Sequence, residues 1–594
     1  MCGICGELRF DGATPDLSII KRMSAKIARR GPDHEAMISD GPVAFGHRRL
    51  AIIDLTPSAD QPMVDKELRI SLVFNGTIYN YKELRAELIE MGYAFFSEGD
   101  TEVIIKAYHA WGEKCVERFY GMFAFALWDL RQATLFLARD RFGIKPLYYS
   151  LDSAHFRFAS NVQALLAAGG VDTSIDAVAL HHHFTLHAVV PAPRTILNGV
   201  KKLPPATTMK LTAQGEISHR TYWSLDATRP AQTLSEQDWL KATRIVLIRA
   251  VERHRLASDV PVGVLLSGGL DSSLLVGLLA DHVENLLTFS VGFEDIGDGA
   301  EKADEFEYSD QVAEHFKTRH HKFLIPNSEV LKRLPEAVSN MAEPMVSQDA
   351  VAFYLLGERV SDEVKVVLSG QGADEVFGGY FWFPVMDQAQ GSNLERFRSN
   401  YFDRDHAEYL EMVNPAFHVP DVTSVMVENE LHKDKADTFL DQVLRFDATT
   451  LVVDDPVKRV DNMTMAWGLE ARVPFLDHEL VELAARMPPE LKLKEGGKFP
   501  LKALARGLIP DAVIDRPKGY FPVPALKYVR GDFLQFMRTI LQSEACIKRG
   551  IFQRAYVEKL LADPEAHLTK IQGSKLWHLA LLEFWLQLNV DAVS

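Results

Sequence analysis

Apolar residues fall into short alternating or continuous runs over residues 43–53, 71–74, 122–128, 134–138 and 156–159. Runs of this length, bounded by Gly, Pro and Asp, predict strands. Between them the apolar spacing turns helical over 81–91 and 101–111. A Pro-rich passage from Pro191 to Pro205 leads to a last apolar/polar stretch that ends near Trp223. The polar, proline-punctuated residues that follow predict a linker at 224–235, which divides the chain into domains at 1–223 and 236–594. After the linker the pattern changes. A helical stretch (236–255) precedes a compact apolar strand (262–266), then Ser267-Gly268-Gly269 and a second helix (272–283). Strand-then-helix units recur at 286–293 with 309–316, and at 364–369 before a Gly-rich turn. This alternation predicts a doubly wound parallel sheet with helices on both faces. Beyond about residue 395 the chain reads as mostly helical to its end, without an internal repeat.

At 594 residues the chain exceeds what one hydrophobic core supports, in agreement with at least two domains. The composition is 47% hydrophobic and 25% charged, and 65 Lys and Arg face 81 Asp and Glu for a net charge of -16. No segment concentrates basic residues, so nucleic acid and anionic membranes are not the expected partners; small molecules are. Four cysteines are too few for a disulfide framework and suit a reducing cytoplasm. The first ten residues lack the charged and apolar regions of a signal peptide, and no apolar run reaches the roughly 20 residues that span a bilayer. The expected location is cytoplasmic.

Cys2 follows a Met1 that is normally removed before so small a residue, which would put a thiol and a free α-amine on one residue. An α-amine has a pKa of about 8, so it can take the thiol's proton and generate a nucleophile without a histidine. The competing use of Cys2-Gly-Ile-Cys5, half of a zinc or redox site, lacks the two further ligands that zinc requires. Cys5 is therefore expected to be a buried apolar residue. Downstream stand Arg29-Arg30-Gly31-Pro32-Asp33, Gly46-His47-Arg48-Arg49-Leu50, Phe74-Asn75-Gly76 and Gly99-Asp100-Thr101-Glu102.

In this order and spacing these segments resemble the glutaminase domain of class II amidotransferases. The resemblance implies the N-terminal-nucleophile fold, two sheets sandwiched between helices (αββα). It implies that Cys2 attacks the side-chain amide of glutamine, with its α-amine as base and with Asn75 and Gly76 as the oxyanion hole. Arg49 would clamp the glutamine α-carboxylate and Asp100 would hold its α-ammonium. The family usually has Glu where this chain has Thr77, which removes a carboxylate beside the expected ammonium.

The stretch Leu266-Ser267-Gly268-Gly269-Leu270-Asp271-Ser272 sits where a strand passes into a helix, where backbone N–H groups and the helix terminus favour a phosphate. No Gly-Lys-[Ser/Thr] follows, so it is not a loop for γ-phosphate transfer. It resembles the SGGxDS loop of ATP pyrophosphatases, and Ser369-Gly370-Gln371-Gly372-Ala373-Asp374-Glu375 resembles the second loop of the same family. ATP would be held by Leu266, Ser267, Gly268, Gly269, Asp271, Ser272, Ser369 and Gly370, and Mg²⁺ by Asp271 and Asp374. Segments 470–477, 498–506 and 516–519 resemble the remaining motifs, with Lys502 placed to stabilise charge on the α-phosphate or acyl intermediate. The acidic run 294–307 lacks the ligand spacing of an EF-hand and is expected to be a mobile loop beside the site. Neighbouring residues on a helix diverge, so His181, His182 and His183 are not expected to share a metal.

Taken together, the chain is identified by these motifs as resembling the glutamine-hydrolysing asparagine synthetases. The implied reaction adenylates a carboxylate with ATP and displaces AMP with ammonia from glutamine; a homodimer is the assembly the resemblance suggests. The acceptor is a separate question. The family's second loop usually reads Ser-Gly-Glu-Gly, and Gln371 replaces its Glu. Residues 185–202 and 370–383 resemble more closely the N-acetylglutaminylglutamine amidotransferases, which amidate the terminal carboxylate of a dipeptide. That acceptor is expected ahead of aspartate. A β-lactam-synthetase-like cyclase would need no Cys2, and a catalytically inert binding protein would not need Cys2, Asn75, Asp271 and Asp374 together.

Overall fold

The computed structural model describes residues 2–294, 304–517, 519 and 523–592. Most of the acidic run 294–307 and Lys518 therefore lie outside the described residues. Two six-stranded sheets are built from the first 221 residues. One runs Lys201–Lys202, Tyr148–Leu151, His155–Ala159, Cys2–Arg9, Val43–Arg49, His34–Asp40; the other runs Ile217–Thr221, Thr207–Thr212, Thr134–Arg139, Gly121–Asp129, Ile70–Ile78, Met63–Asp65. All their pairings are antiparallel. Ile4, Leu8, Phe45, Val73, Ala126, Trp128, Leu137 and Phe158 fill the space between them. On the outer faces, Leu17–Lys26 and Val162–Ala168 pack against the first sheet and Asp100–Trp111 against the second, with Tyr81–Glu90 packed on Asp100–Trp111. This is the αββα sandwich that the resemblance implied.

Strand parity decides what each N-terminal cysteine sees. Residues three apart on a strand point to opposite faces. Ile4, on the Cys2 face, enters the core between the sheets, whereas Cys5 packs outward with Ile20 and Met23. The two thiols cannot share an ion, and all four cysteines are free. Burial pushes the Cys5 thiol up to about 12, which makes it inert.

The second domain carries a five-stranded parallel sheet in the order Arg319–Ile325, Leu287–Phe293, Val262–Leu265, Val366–Leu368, Glu470–Arg472. Its last strand is a short extended segment within a C-terminal region that is otherwise mostly helical, as its pattern predicts. Glu-Ala-Arg has no strand signature of its own and is extended because it pairs with Val366–Leu368. The helices begin near their expected positions, with Leu270–Leu279 after the first loop and Phe306–Phe316 after the second strand. A long helical run from Phe439 to Met465 contains π-helical turns at Asp447–Leu451 and Val453–Val457. Such turns recur at functional sites.

The segment expected to be a linker is docked. Ala227 pairs with Ala436, and Arg229 binds both carboxylate oxygens of Asp441 at 2.7 and 2.9 Å. The contact between domains is ionic as well as apolar. Asp461 receives Arg30 at 3.0 Å and Lys145 at 2.9 Å, and Lys202 reaches Glu343 at 3.0 Å and Asp454 at 2.5 Å, all buried. One continuous apolar cluster runs through both domains.

Candidate functional site

The N-terminal site assembles from strand register. Cys2 lies directly across from Arg49 in the antiparallel pair. Its backbone nitrogen donates to Asn75 Oδ1 at 3.1 Å from the opposite sheet. The Asn75 side chain is fully buried and its Nδ2 has no partner among the described residues. A buried amide donor left open beside a thiol is what a hole for a developing oxyanion requires. Gly76 has φ +155, and a Cβ there would lie 2.2 Å from the Met122 carbonyl oxygen. Asp100 opens the helix Asp100–Trp111 and accepts from the Ile78 N–H at 3.0 Å, which sets it beside Asn75-Gly76-Thr77. Burial raises its pKa to about 6. Burial likewise pushes the Cys2 thiol up. The Arg49 guanidinium is turned toward the 54–60 loop, where it binds Asp60 at 2.6 Å and the carbonyls of Thr56 and Asp54.

Thr77 meets the other domain. Its hydroxyl donates to Glu470 Oε1 at 3.3 Å, and Glu470 is fully buried and paired with Arg472. Burial works to raise the Glu470 pKa, but Arg472 together with Lys145 and the other positive charge around it more than offsets it and leaves the carboxylate at about 2. A carboxylate thus stands against Thr77, contributed by the second domain. The motif containing Glu470 was visible in the sequence, but its reach to Thr77 was not.

The loops of the second domain meet around a cavity of about 750 Å³. Leu266, Ser267, Gly269, Asp271, Ser272, Ser369 and Gly370 line it, as do Gln371, Asp374 and Lys502. Gly268 does not line it. Gly268 turns the loop at φ +77, where a Cβ would lie 2.8 Å from the Ser309 nitrogen, and its carbonyl accepts from Arg516 at 3.1 Å. The loop is held by Ser272, whose hydroxyl accepts from the Ser267 N–H at 3.2 Å. Gly370 lets the second loop approach the first, since its Cβ would stand 3.0 Å from Asp271 Cβ.

Lys498, not Lys502, occupies the centre. Its Nζ lies 2.7 Å from Asp271 and 3.0 Å from Asp374, while Lys502 bonds the carbonyl of Glu495 at the wall. Lys498 has φ +55, a conformation rarely held by a non-glycine residue except where the surroundings impose it. A Cβ on Gly379 would come within 2.1 Å of Asp374 Oδ1 and 2.7 Å of Lys498 Cε, so only glycine leaves room for this pair. The two carboxylates converge on a single cation, which is the donor set that Mg²⁺ shares with phosphate oxygens.

A second cavity of about 200 Å³ adjoins the first, with Asp349, Glu375 and Tyr380 lining both. Asp447, Leu451, Asp455 and Arg459 line it at four-residue spacing along the π-helical run, opposite Tyr380, Trp382 and Tyr401. Burial raises the pKa of Asp349 to about 6.

The expectation that the three adjacent histidines diverge needs one correction. Near the helix end His181 and His182 both reach Thr423 Oγ1, at 2.5 and 2.9 Å, while His183 faces elsewhere. Among the described residues no helix is long and apolar enough to cross a membrane.

A buried thiol with an open amide donor, joined to a phosphate-type loop with paired aspartates, defines a glutamine-hydrolysing, ATP-dependent ligase. Two family profiles agree, "Glutamine amidotransferase domain" over residues 1–223 and "Asparagine synthase" over 242–587, and the chain belongs to the asparagine synthase family. It is 32% identical to glutamine-hydrolysing asparagine synthetase 1 of Bacillus subtilis, over all of this chain and 97% of the relative. It is 33% identical to a putative glutamine-hydrolysing asparagine synthetase of Mycobacterium tuberculosis, over 99% of this chain and 98% of the relative. With asparagine synthetase B of Escherichia coli it shares 29% identity, over 88% and 82%.

Proposed function

We propose that this enzyme amidates the terminal carboxylate of N-acetylglutaminylglutamine, using ammonia from glutamine and adenylation by ATP. The contact of Cys2 with Asn75 carries the glutaminase half. Once Met1 is removed, the Cys2 α-amine takes the thiol proton and the thiolate attacks the glutamine amide carbon. The proton then passes to the departing nitrogen, ammonia leaves, and water hydrolyses the remaining thioester to glutamate. Asn75 Nδ2 and the Gly76 N–H receive the oxyanion, Asp100 holds the α-ammonium, and Arg49 turns to the α-carboxylate. Each oxyanion donor is worth roughly 3–4 kcal/mol.

In the second domain the Ser267–Ser272 loop and the Ser369–Gly370 turn hold ATP. Mg²⁺ on Asp271 and Asp374 would neutralise the departing pyrophosphate. Lys498 is the cation next to the reacting phosphate, and Lys502 supports it from the wall. The acceptor carboxylate forms a bond to the α-phosphorus as pyrophosphate leaves; ammonia then attacks the acyl carbon, AMP leaves, and one proton must be removed. Gln371 cannot take that proton. Asp349, with a pKa of about 6 and a place on both cavities, can.

The second cavity supports the dipeptide as acceptor. Its acidic side chains, Asp349, Glu375, Asp447 and Asp455, outnumber its basic ones, Arg459, Lys527 and His187, and suit a ligand rich in amide N–H donors. Its aromatic wall suits the four methylenes of two glutamine side chains, where free aspartate has one. Aspartate is the second reading, favoured by the names of the relatives. The two are separated by pyrophosphate release from ATP, Mg²⁺ and glutamine with each acceptor in turn. Turnover with the dipeptide is expected; turnover with aspartate alone overturns this assignment.

A further inference from the structure

His187 lines the second cavity but not the first, so it stands on the wall away from the nucleotide loops. It follows the helix Ala177–Thr185 in a turn where His187 has φ +52 and Ala188 φ +64. Two successive non-glycine residues in the left-handed region persist only where the surroundings over-determine them. Asp403 does so twice. Its N–H donates to the Thr185 carbonyl at 3.0 Å, and its Oδ2 accepts from His187 Nδ1 at 2.9 Å. Asp403 is 3% exposed, and its other oxygen has no partner among the described residues. His578 stands behind, ring edge toward His187, with Nδ1 3.6 Å from Asp403. Gly573 makes room for both rings, since a Cβ there would lie 3.0 Å from His578 Nε2 and 3.3 Å from His187 Cε1.

We propose that His187, oriented by Asp403, is the residue that reads the far end of the acceptor, its Nε2–H donating to a carbonyl or carboxylate oxygen there. Asp403 takes Nδ1, so Nε2 is the nitrogen left to face a ligand in the cavity. An acceptor reacting at the nucleotide loops puts its opposite end against this wall: the N-acyl or peptide carbonyl of the dipeptide, or the α-carboxylate of a free amino acid. The inference rests on the second cavity being the acceptor site, and not on which acceptor fills it. His187 has the charge for the task. Burial lowers its pKa, but Asp403 outweighs burial and raises it above the ordinary histidine value. The other ionisable groups around it are Asp455 and Arg459 on the π-helical run, Asp349, Lys527, His183 on its own helix, and His578, which burial keeps neutral.

The test is steady-state pyrophosphate release by the full-length enzyme, varying the dipeptide and, separately, aspartate, with direct titration of each acceptor giving Kd. His187→Ala is expected to raise KM or Kd of the active acceptor by about tenfold or more, the worth of one charged hydrogen bond. ATP KM and glutamine hydrolysis should be unchanged, and His187→Gln, which keeps an N–H, should recover part of the loss. In the parent enzyme acceptor KM should rise as pH climbs through the raised His187 pKa, and Asp403→Asn should move that rise to lower pH. Unchanged acceptor KM and Kd overturn the inference. So does a parallel loss of glutaminase activity and thermal stability, which marks a purely structural pair, or stoichiometric metal held by His187, Asp403 and His578. Parent turnover with aspartate alone overturns the dipeptide reading, and the shift in aspartate KM then still decides the role of His187.

Discussion

At the N-terminal site the chemistry is set by the Cys2 thiol and two neighbours, and each gives a separate expectation. Cys2→Ala should abolish glutamine hydrolysis while leaving amide formation from added ammonium salts, because the synthetase loops are untouched. Asn75→Ala removes the open Nδ2 donor and should lower glutaminase kcat by about 10²–10³-fold with a smaller change in KM, since the bond forms as the oxyanion develops. Asp100 gives the pH dependence. Its carboxylate, not its acid form, attracts the glutamine ammonium, and its pKa is about 6. Glutaminase kcat/KM should therefore fall as pH drops through 6, and Asp100→Asn should be low and flat over that range. Cys2, Asn75, Gly76 and Asp100 were legible in sequence because their motifs are local. The turn of Arg49 toward Asp60 was not, because that contact depends on how the 54–60 loop closes over the strand.

At the scale of elements, the two loops of the parallel sheet work only if their glycines stay glycine. Gly379→Ala would drive a methyl into Asp374 and Lys498, so pyrophosphate release should be lost while glutamine hydrolysis persists. Lys498 and Lys502 are to be compared by the same assay. Lys498→Ala should nearly abolish pyrophosphate release, and Lys502→Ala should cost much less, because only Lys498 lies between the two aspartates. Both lysines fall in one short motif, and spacing alone did not separate them. The separation comes from the left-handed conformation of Lys498, which sends its chain across Gly379. The strand Glu470–Arg472 was hidden for a related reason, since pairing with Val366–Leu368 and not residue preference makes it extended.

At the scale of the whole molecule, the domains are joined through buried charge. Burial works to raise the Asp461 pKa, but Arg30 and Lys145 more than offset it and leave the carboxylate ionised. Asp461→Ala leaves two buried cations without their partner, a change that costs about 3–5 kcal/mol where a buried pair is broken. The expected result is a lower Tm and an excess of glutamate over pyrophosphate, measured in one reaction mixture, as ammonia escapes at a loosened interface. A 1:1 ratio in the variant would show that Asp461 does not couple the halves.

The sequence alone pointed to the parallel sheet and the two phosphate-type loops, and its motifs carried the resemblance that implied the αββα sandwich and the candidate glutaminase residues. The sheet and loops rest on periodicity and on glycines a few positions apart, and the resemblance rests on short local motifs. Tertiary structure alone decided that Glu470 meets Thr77, that Lys498 joins Asp271 to Asp374, that residues 224–235 are docked, and that His187 faces a second cavity with Asp403 behind it. Those contacts join residues 124 to 393 positions apart, and only the packing of sheets and helices brings such partners within reach.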